Sequence, residues 1–340
     1  MENNLSYNPR KLLSHNKMLN FVMSHRGGGK TYAGKRLAIK SFLKDGSQWI
    51  YLRRFKTELK GDNVAKWFDD IRDEFPGHKL EVKGNTFYID GKQAGFAVAL
   101  TQQVQIRSTP YPNVRLIIFD EFVLDERKTL KYLKDEVTTF LEIISTVVRS
   151  RDDVRVYCCA NSISYINPYF DYWRIRVNPQ DKKNFYFSPY NDQVVVELYS
   201  NKEFTDKMNS TRFGKLIANT NYGNYAVLNE VLLDTDEFLM FKKPKDSEFV
   251  CSFKYDDKVI GCWFSHTEQI YHFNNQIDPY NKLKISVTTD DHCYNYNTLK
   301  SLKSEGYFKS ILDYYSVGMC FYKDGETKRA MFDILKIMGA

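Results

Sequence analysis

The run Leu19-Asn20-Phe21-Val22-Met23 leads into Ser24-His25-Arg26-Gly27-Gly28-Gly29-Lys30-Thr31, and no other eight residues constrain the fold as strongly. Three consecutive glycines let the backbone turn its N–H groups toward a phosphate chain, with Lys30 in reach of the β- and γ-phosphates. The Thr31 hydroxyl is placed to hold Mg²⁺. Ala33, Leu37, Ala38, Ser41 and Phe42 follow at helical spacing on one small or apolar face. Strand, glycine-rich turn and helix in that order open an α/β sheet that binds ATP with Mg²⁺, and Arg26, Gly27, Gly28, Gly29, Lys30 and Thr31 are the candidate nucleotide contacts. The usual G-x-x-x-x-G-K-[ST] pattern would have glycine where this chain has Ser24. A Gly-rich turn with no ligand is the alternative reading.

The first 200 residues alternate strand-like and helix-like segments. Gln48 to Arg54 is the next expected strand. Val64, Trp67, Phe68, Ile71 and Phe75, at spacings of three and four, predict a helix. Asn85 to Ile89 and Gly95 to Leu100 predict a hairpin joined at Asp90-Gly91 by more than two residues. Val114 to Phe119 reads as a buried parallel strand, followed by a long helix through Tyr132, Phe140, Leu141, Ile144 and Val148 and a strand from Val154 to Ala160. Between about 200 and 232, Asn, Thr, Ser and Gly accumulate, which reads as a linker or bridging element. Beyond Phe249 a three-stranded meander is expected over Cys251 to Tyr255, Val259 to Phe264 and Ile270 to Phe273. A strand at Lys284 to Val287 and helices at Asn297 to Glu305 and Lys328 to Met338 follow. The domains are therefore 1–200, a bridging element 201–232, and 233–340.

Asp120-Glu121 closes the strand from Val114. An acid pair at the end of a buried strand suits a Mg–ATP hydrolase, because Asp120 can hold the metal while Glu121 polarises the attacking water. The plain alternative is a strand capped by two solvated acids. Where an extra strand lies between the loop strand and the acid strand, a polar residue at its end can sense the γ-phosphate, and Asn161 stands there. The fold expected is thus an α/β P-loop NTPase of the additional-strand (ASCE) type. Arg149 and Arg151 end the long helix close to Asp152-Asp153. They are either a salt-bridged helix terminus or an arginine finger for a neighbouring subunit's site, with Arg149 favoured. Arg53, Arg54 and Lys56 follow a strand on the nucleotide edge, as a second contact in trans or for DNA phosphates.

Net charge is +7, and the surplus is uneven: residues 1–200 hold 31 Lys/Arg against 23 Asp/Glu, the rest 18 against 19. This favours a polyanionic partner, but is far weaker than the surplus of a dedicated DNA-binding domain. The 6 cysteines form no C-x-x-C pair, so neither a disulfide framework nor a zinc ribbon is signalled. Cys251, Cys262, His266 and His272 match no usual zinc spacing. No stretch is apolar enough to span a bilayer and no signal-peptide layout is present, so no membrane partner and a cytoplasmic location are expected.

Tyr7-Asn8-Pro9, the arginine-bearing loop, Tyr51-Leu52-Arg53-Arg54-Phe55-Lys56, Asp120-Glu121, Arg149-Ser150-Arg151, Asn161, Asn167-Pro168-Tyr169-Phe170 and Thr211-Arg212-Phe213-Gly214-Lys215-Leu216 occur in that order. Together they resemble the phi29-type DNA-packaging ATPases of small tailed phages over most of the chain. The resemblance implies a motor driving double-stranded DNA into a preformed capsid in the host cytoplasm, transiently at the procapsid portal vertex. It implies a homo-oligomeric ring, expected as a pentamer, with the portal (connector) protein and a structural packaging RNA as neighbours. Tyr7 to Pro9 would flank the adenine, Arg149 would act in trans, and Lys56 would be a second trans cation. The same resemblance implies an RNase H-like C-terminal α+β domain. Its first strand, Phe249 to Tyr255, carries Lys254 and no acid, and Asp290-Asp291 alone do not make a two-metal centre. A vestigial nuclease fold that contacts DNA, RNA or portal, without nuclease activity, is therefore expected.

Two other readings stay open from the residues. One is a P-loop helicase or recombination ATPase acting without a capsid, separable by portal dependence. The other is a non-hydrolysing, nucleotide-regulated scaffold, which DNA-stimulated phosphate release would exclude. A nucleotide kinase is disfavoured because no lid-like arginine cluster is evident.

Overall fold

Strand β1 (Leu19–Ser24) is buried along its whole length, since it lies between two parallel neighbours and is covered on both faces. The computed structural model describes residues 6–107, 109–125, 131–177, 183–218, 220, 223, 238–256, 258–280, 283–302 and 306–339. Contacts divide the chain into two compact units, Met1–Leu233 and Asp234–Ala340.

The first unit is built on a nine-stranded sheet. Its further strands are β2 (Gln48–Arg53), β3 (Leu80–Lys83), β4 (Thr86–Ile89), β5 (Lys92–Ala99), β6 (Val114–Asp120), β7 (Arg155–Asn161), β8 (Phe185–Phe187) and β9 (Val194–Tyr199). The order is β3-β4-β5-β2-β6-β7-β1-β9-β8. Strands β5, β2, β6, β7, β1 and β9 run parallel, and antiparallel strands close both edges. Strand β7 is interposed between β1 and β6, the additional strand expected from the sequence.

Alternation along the strands divides the core into two layers. Leu19, Phe21 and Met23, with Ile117, Phe119, Val156 and Cys158, face the helix Glu136–Val148 through Phe140, Ile143, Ile144 and Val147. Val22, Trp49, Ile118, Tyr157 and Cys159 belong to the other layer, with Ala33, Ala38 and Ile39 of the helix Lys30–Asp45.

Several expected elements differ. The segment from Val64 to Phe75 is not one helix but a short helix, Asp62–Ala65, then turns and a 3₁₀ turn, Arg72–Glu74. Lys35 Nζ takes the carbonyl of Trp67 at 2.7 Å, and Ile71 N–H bonds Phe68 instead. Trp67 stacks on Trp49 at 5.5 Å, holding the backbone there. The long helix starts at Glu136, so Tyr132 precedes it and its hydroxyl accepts the N–H of Leu124. The hairpin turn is the two-residue Asp90-Gly91, and β3 adds a third strand to it. Strands β8 and β9 were not expected. The described part of 201–232 includes helices Lys202–Ser210 and Arg212–Ile217; residues 219, 221–222 and 224–232 lie outside the described residues.

The second unit holds a six-stranded mixed sheet. The meander β10 (Glu248–Tyr255), β11 (Lys258–Ser265) and β12 (Ile270–Asn274) is extended by β13 (Lys284–Ser286) and β14 (Asn297–Thr298) on one side and β15 (Cys320–Tyr322) on the other. Strand β13 is parallel to β10, β14 to β13 and β15 to β12. Helices Gly306–Ser316 and Gly325–Met338 cover it through Phe308, Ile311, Met331, Ile334 and Leu335. The helix expected from Asn297 is a strand followed by the short helix Leu299–Leu302; residues 303–305 lie outside the described residues.

Candidate active site

The loop Ser24–Gly29 and the N-terminus of helix Lys30–Asp45 lie at the carboxyl edge of β1, where unpaired helix N–H groups favour an anion. Gly29 caps the helix at φ 82°, in the left-handed region. A Cβ on Gly28 would lie 2.6 Å from the His25 ring, so only glycine passes there. Ser24 is still part of β1 and has no left-handed backbone, which explains why serine serves in place of glycine. Its hydroxyl accepts from Lys30 Nζ at 2.8 Å.

The Lys30 ammonium is buried and folded onto the loop, donating to Ser24 O (3.2 Å), His25 O (2.8 Å) and Asn161 Oδ1 (3.2 Å). Burial lowers its pKa to about 8, against the opposing pull of Cys159 and Asp120. Strand β7 thus brings Asn161 to the loop lysine, as a sensor requires.

The acids arrive at the same edge. Thr31 Oγ1 donates to Asp120 Oδ1 at 3.0 Å, while Tyr51 Oη and Arg53 Nη1 donate to Oδ2 at 3.0 and 3.2 Å. Gly27 to Tyr32, Asp120, Glu121, Ala160 and Asn161 line one cavity of about 250 Å³. A hydroxyl and a carboxylate converging beside a lysine-bearing glycine loop are hard oxygen donors that fit Mg²⁺ with a polyphosphate. Glu121 follows β6 at φ 60°, a left-handed conformation costly for a non-glycine residue. Its N–H donates to Cys159 O at 2.8 Å, and its exposed carboxylate accepts from Arg53 Nη2 at 2.7 Å.

Sequence reasoning put Arg53 and Arg54 toward outside partners; the structure corrects both. Arg53 also pairs with Glu58 at 2.6 Å, and it stays charged because Tyr51, Asp120, Glu121 and Glu58 outweigh the effect of burial. Arg54 is 1% exposed and bonds both oxygens of Glu136 and the carbonyls of Glu121 and Phe122. Tyr169 Oη adds a bond to Glu136 at 2.6 Å. Glu136 sits 82 residues from Arg54, so no local pattern announces the pair.

Arg26 and Lys56 are exposed, Arg26 in the loop and Lys56 past β2 on the nucleotide edge. Tyr7 bonds its N–H to Gly28 O at 2.9 Å, while its ring is only 3% exposed and its hydroxyl donates to Glu197. The N-terminal segment therefore rests on the loop with the tyrosine ring turned inward. Arg149 is not brought to this site. It lies between the end of helix Glu136–Val148 and the start of β7, at the opposite edge of the sheet; its N–H caps the helix on Ser145 O at 2.9 Å, and its exposed side chain makes no hydrogen bond or ion pair among the described residues. Arg151 is spent within the chain on the carbonyls of Tyr111, Pro112, Val114 and Val147.

His25 is fully buried beneath the loop and stacks on Phe204 at 4.2 Å and 3°. Phe204 also lies 3.5 Å from where a Gly27 Cβ would stand. Burial and the nearby Lys30 charge hold the imidazole pKa at about 4. Neither His25 nor Phe204 was singled out for this contact; no spacing links residues so far apart.

In the second unit, Asp291 is 7% exposed and accepts from Asp256 N–H, Thr288 N–H and Thr288 Oγ1, a turn-holding role. Cys251 and Cys262 pair across the sheet in the core, His272 bonds Met240 O at 2.7 Å, and His266 is exposed beside Glu248. Among the described residues no three His, Cys, Asp or Glu side chains form a metal-holding group, and no helix is long and apolar enough to cross a membrane.

An interposed strand between loop strand and acid strand, with lysine, threonine, both acids and asparagine on one edge, defines a P-loop NTPase of the additional-strand type. The sequence model of the Podovirus DNA encapsidation protein (Gp16) family matches residues 1–339. The DNA packaging protein of Bacillus phage phi29 is 35% identical over 338 residues, 99% of either chain. The chain belongs to the podovirus DNA encapsidation protein (Gp16) family. Among solved structures, the bacteriophage phi29 viral genome packaging motor assembly matches 98% of this chain and 99% of its own at 34% identity and TM-score 0.78. The crystal structure of the N-terminal domain of the phi29 DNA packaging ATPase covers 59% of this chain and 99% of its own, at 43% identity and TM-score 0.53.

Proposed function

We propose that the chain is an ATP-driven ring motor that translocates double-stranded viral DNA into a preformed capsid. The observation that carries the ATP-driven part is the 3.0 Å contact between Thr31 and Asp120, in the cavity that Glu121 and Asn161 also line; the family match supports the packaging part. Lys30 and the loop N–H groups would bind the triphosphate, and Thr31 and Asp120 would hold Mg²⁺, which would supply positive charge to offset that of the phosphates. Glu121 accepts the proton of the attacking water, and Asn161 reads the γ-phosphate from beside Lys30. Arg26 sits in the loop to sense the phosphates, and the backbone of Tyr7 to Pro9, resting on the loop, flanks the adenine.

Membership in the family and likeness to a packaging motor assembly support a homo-oligomeric ring, a pentamer, at the portal vertex of a procapsid in the host cytoplasm. Double-stranded DNA, the portal (connector) protein and a structural packaging RNA are its partners. Arg149 completes a neighbour's site and Lys56 is a second trans cation; the side chains of both are exposed and make no hydrogen bond or ion pair among the described residues. Residues 1–200 are the ATPase domain, 201–232 the bridge, and 233–340 a vestigial RNase H-like domain contacting nucleic acid or portal. DNA grip through phosphates is sequence-tolerant and salt-sensitive.

The test is packaging itself: purified chain, portal-bearing procapsids, double-stranded DNA and ATP. DNA becomes nuclease-protected with the wild-type chain and not with Lys30→Ala. Translocation of equal rate without procapsids supports the helicase reading instead.

A further inference from the structure

Cys159 touches both acids from the interposed strand. Its Sγ–H donates to Asp120 Oδ1 at 3.1 Å, and Thr31 Oγ1 is 4.0 Å from the same sulfur. Its carbonyl accepts from the N–H of Glu121 at 2.8 Å and of Phe122 at 3.4 Å. The side chain is fully buried in the layer beneath helix Lys30–Asp45.

We infer that Cys159 is a positioning residue whose thiol fixes the carboxylate of Asp120 for the metal, while its carbonyl fixes the backbone of Glu121. Asp120 Oδ2 is held by Tyr51 and Arg53. Oδ1 has two donors, Thr31 and Cys159. When Thr31 turns its oxygen to a cation, the thiol becomes the one protein donor among these contacts left on Oδ1. It then sets the rotation of the carboxylate. Outer groups of this kind change metal affinity by about 10- to 100-fold. The carbonyl contact belongs to the backbone and survives a change of side chain. Loss of the thiol therefore weakens metal-dependent binding and leaves turnover at saturating metal largely intact.

This inference rests on the Mg–ATP reading of the site, and the experiment separates the two. Mg²⁺ is titrated by calorimetry into full-length chain carrying a non-hydrolysable ATP analogue, for wild type, Cys159→Val, which keeps shape without a donor, and Cys159→Ser, which keeps a donor. Thermal melting checks that all three fold. The expected result is a loss in Mg²⁺ affinity of about tenfold or more for Cys159→Val, recovery to within about threefold in Cys159→Ser, and a raised Mg²⁺ requirement with similar kcat in ATPase assays. Val equal to wild type, or Ser as weak as Val, overturns the inference. A wild-type chain whose nucleotide binding ignores Mg²⁺ overturns the underlying reading, and the inference falls with it.

Discussion

Arg53 Nη2 lies 2.7 Å from Glu121 Oε2, so the carboxylate proposed to activate water is held by a cation of its own chain. The same guanidinium pairs with Glu58 and Asp120. Only a planar fork can serve three acids together.

Arg53→Gln removes that hold. The variant is expected to raise ATP hydrolysis in the absence of DNA several-fold and to lower the stimulation by DNA. ATP affinity stays within about threefold, because no Arg53 contact reaches the glycine loop. Phosphate release measured with and without DNA decides it, and an unchanged ratio refutes the restraint.

Glu121 stores backbone strain at φ 60°. Glu121→Gly is therefore expected to unfold at higher denaturant than Glu121→Ala, by about 1 kcal/mol. Both lose turnover, as does Glu121→Gln, which retains ATP binding. A Gln variant hydrolysing at the normal rate removes Glu121 from the role of base.

The Arg54–Glu136 pair is fully buried, and Glu136→Gln leaves the guanidinium without its counter-charge. Breaking such a pair costs about 3–5 kcal/mol, read by urea unfolding. Turnover falls as well, since Arg54 also anchors the carbonyls of Glu121 and Phe122.

His25 is depressed from the ordinary histidine value near 6.5 to about 4. Between those values the unfolded chain takes up a proton that the folded chain refuses, so stability declines as pH falls through this window. The loss reaches about 3 kcal/mol at pH 4. His25→Phe keeps a ring against Phe204 without the proton and is expected to flatten this limb in denaturation curves taken from pH 7 to 4. An equally steep curve assigns the acid sensitivity elsewhere.

Arg149→Ala and Lys30→Ala chains, each inactive alone, are expected to recover part of the ATPase activity when mixed. In the proposed ring, mixing creates junctions with one intact lysine and one intact arginine. Activity absent at every ratio counts against the trans assignment.

The central parallel strands were legible because a strand buried on both faces reads as a near-continuous apolar run, as in Leu116 to Phe119. The loop and Asp120-Glu121 were legible because phosphate and metal chemistry demand those residue types in a fixed local order. What escaped was set across distance. Arg54 finds Glu136, and Phe204 finds His25, only after the sheet has formed. The helix expected through Trp67 fails because a buried lysine from another element takes its carbonyl. Val194 to Tyr199 carries a strand signal in Val-Val-Val, too short beside the polar turn before it to stand out.

The exposed arginine beyond helix Glu136–Val148 stands at the far edge of the sheet from its own glycine loop. Under the proposed reading, a solitary copy is chemically incomplete and burns little fuel. Assembly becomes the ignition, and nucleotide is spent only where a circle of neighbours has already gathered.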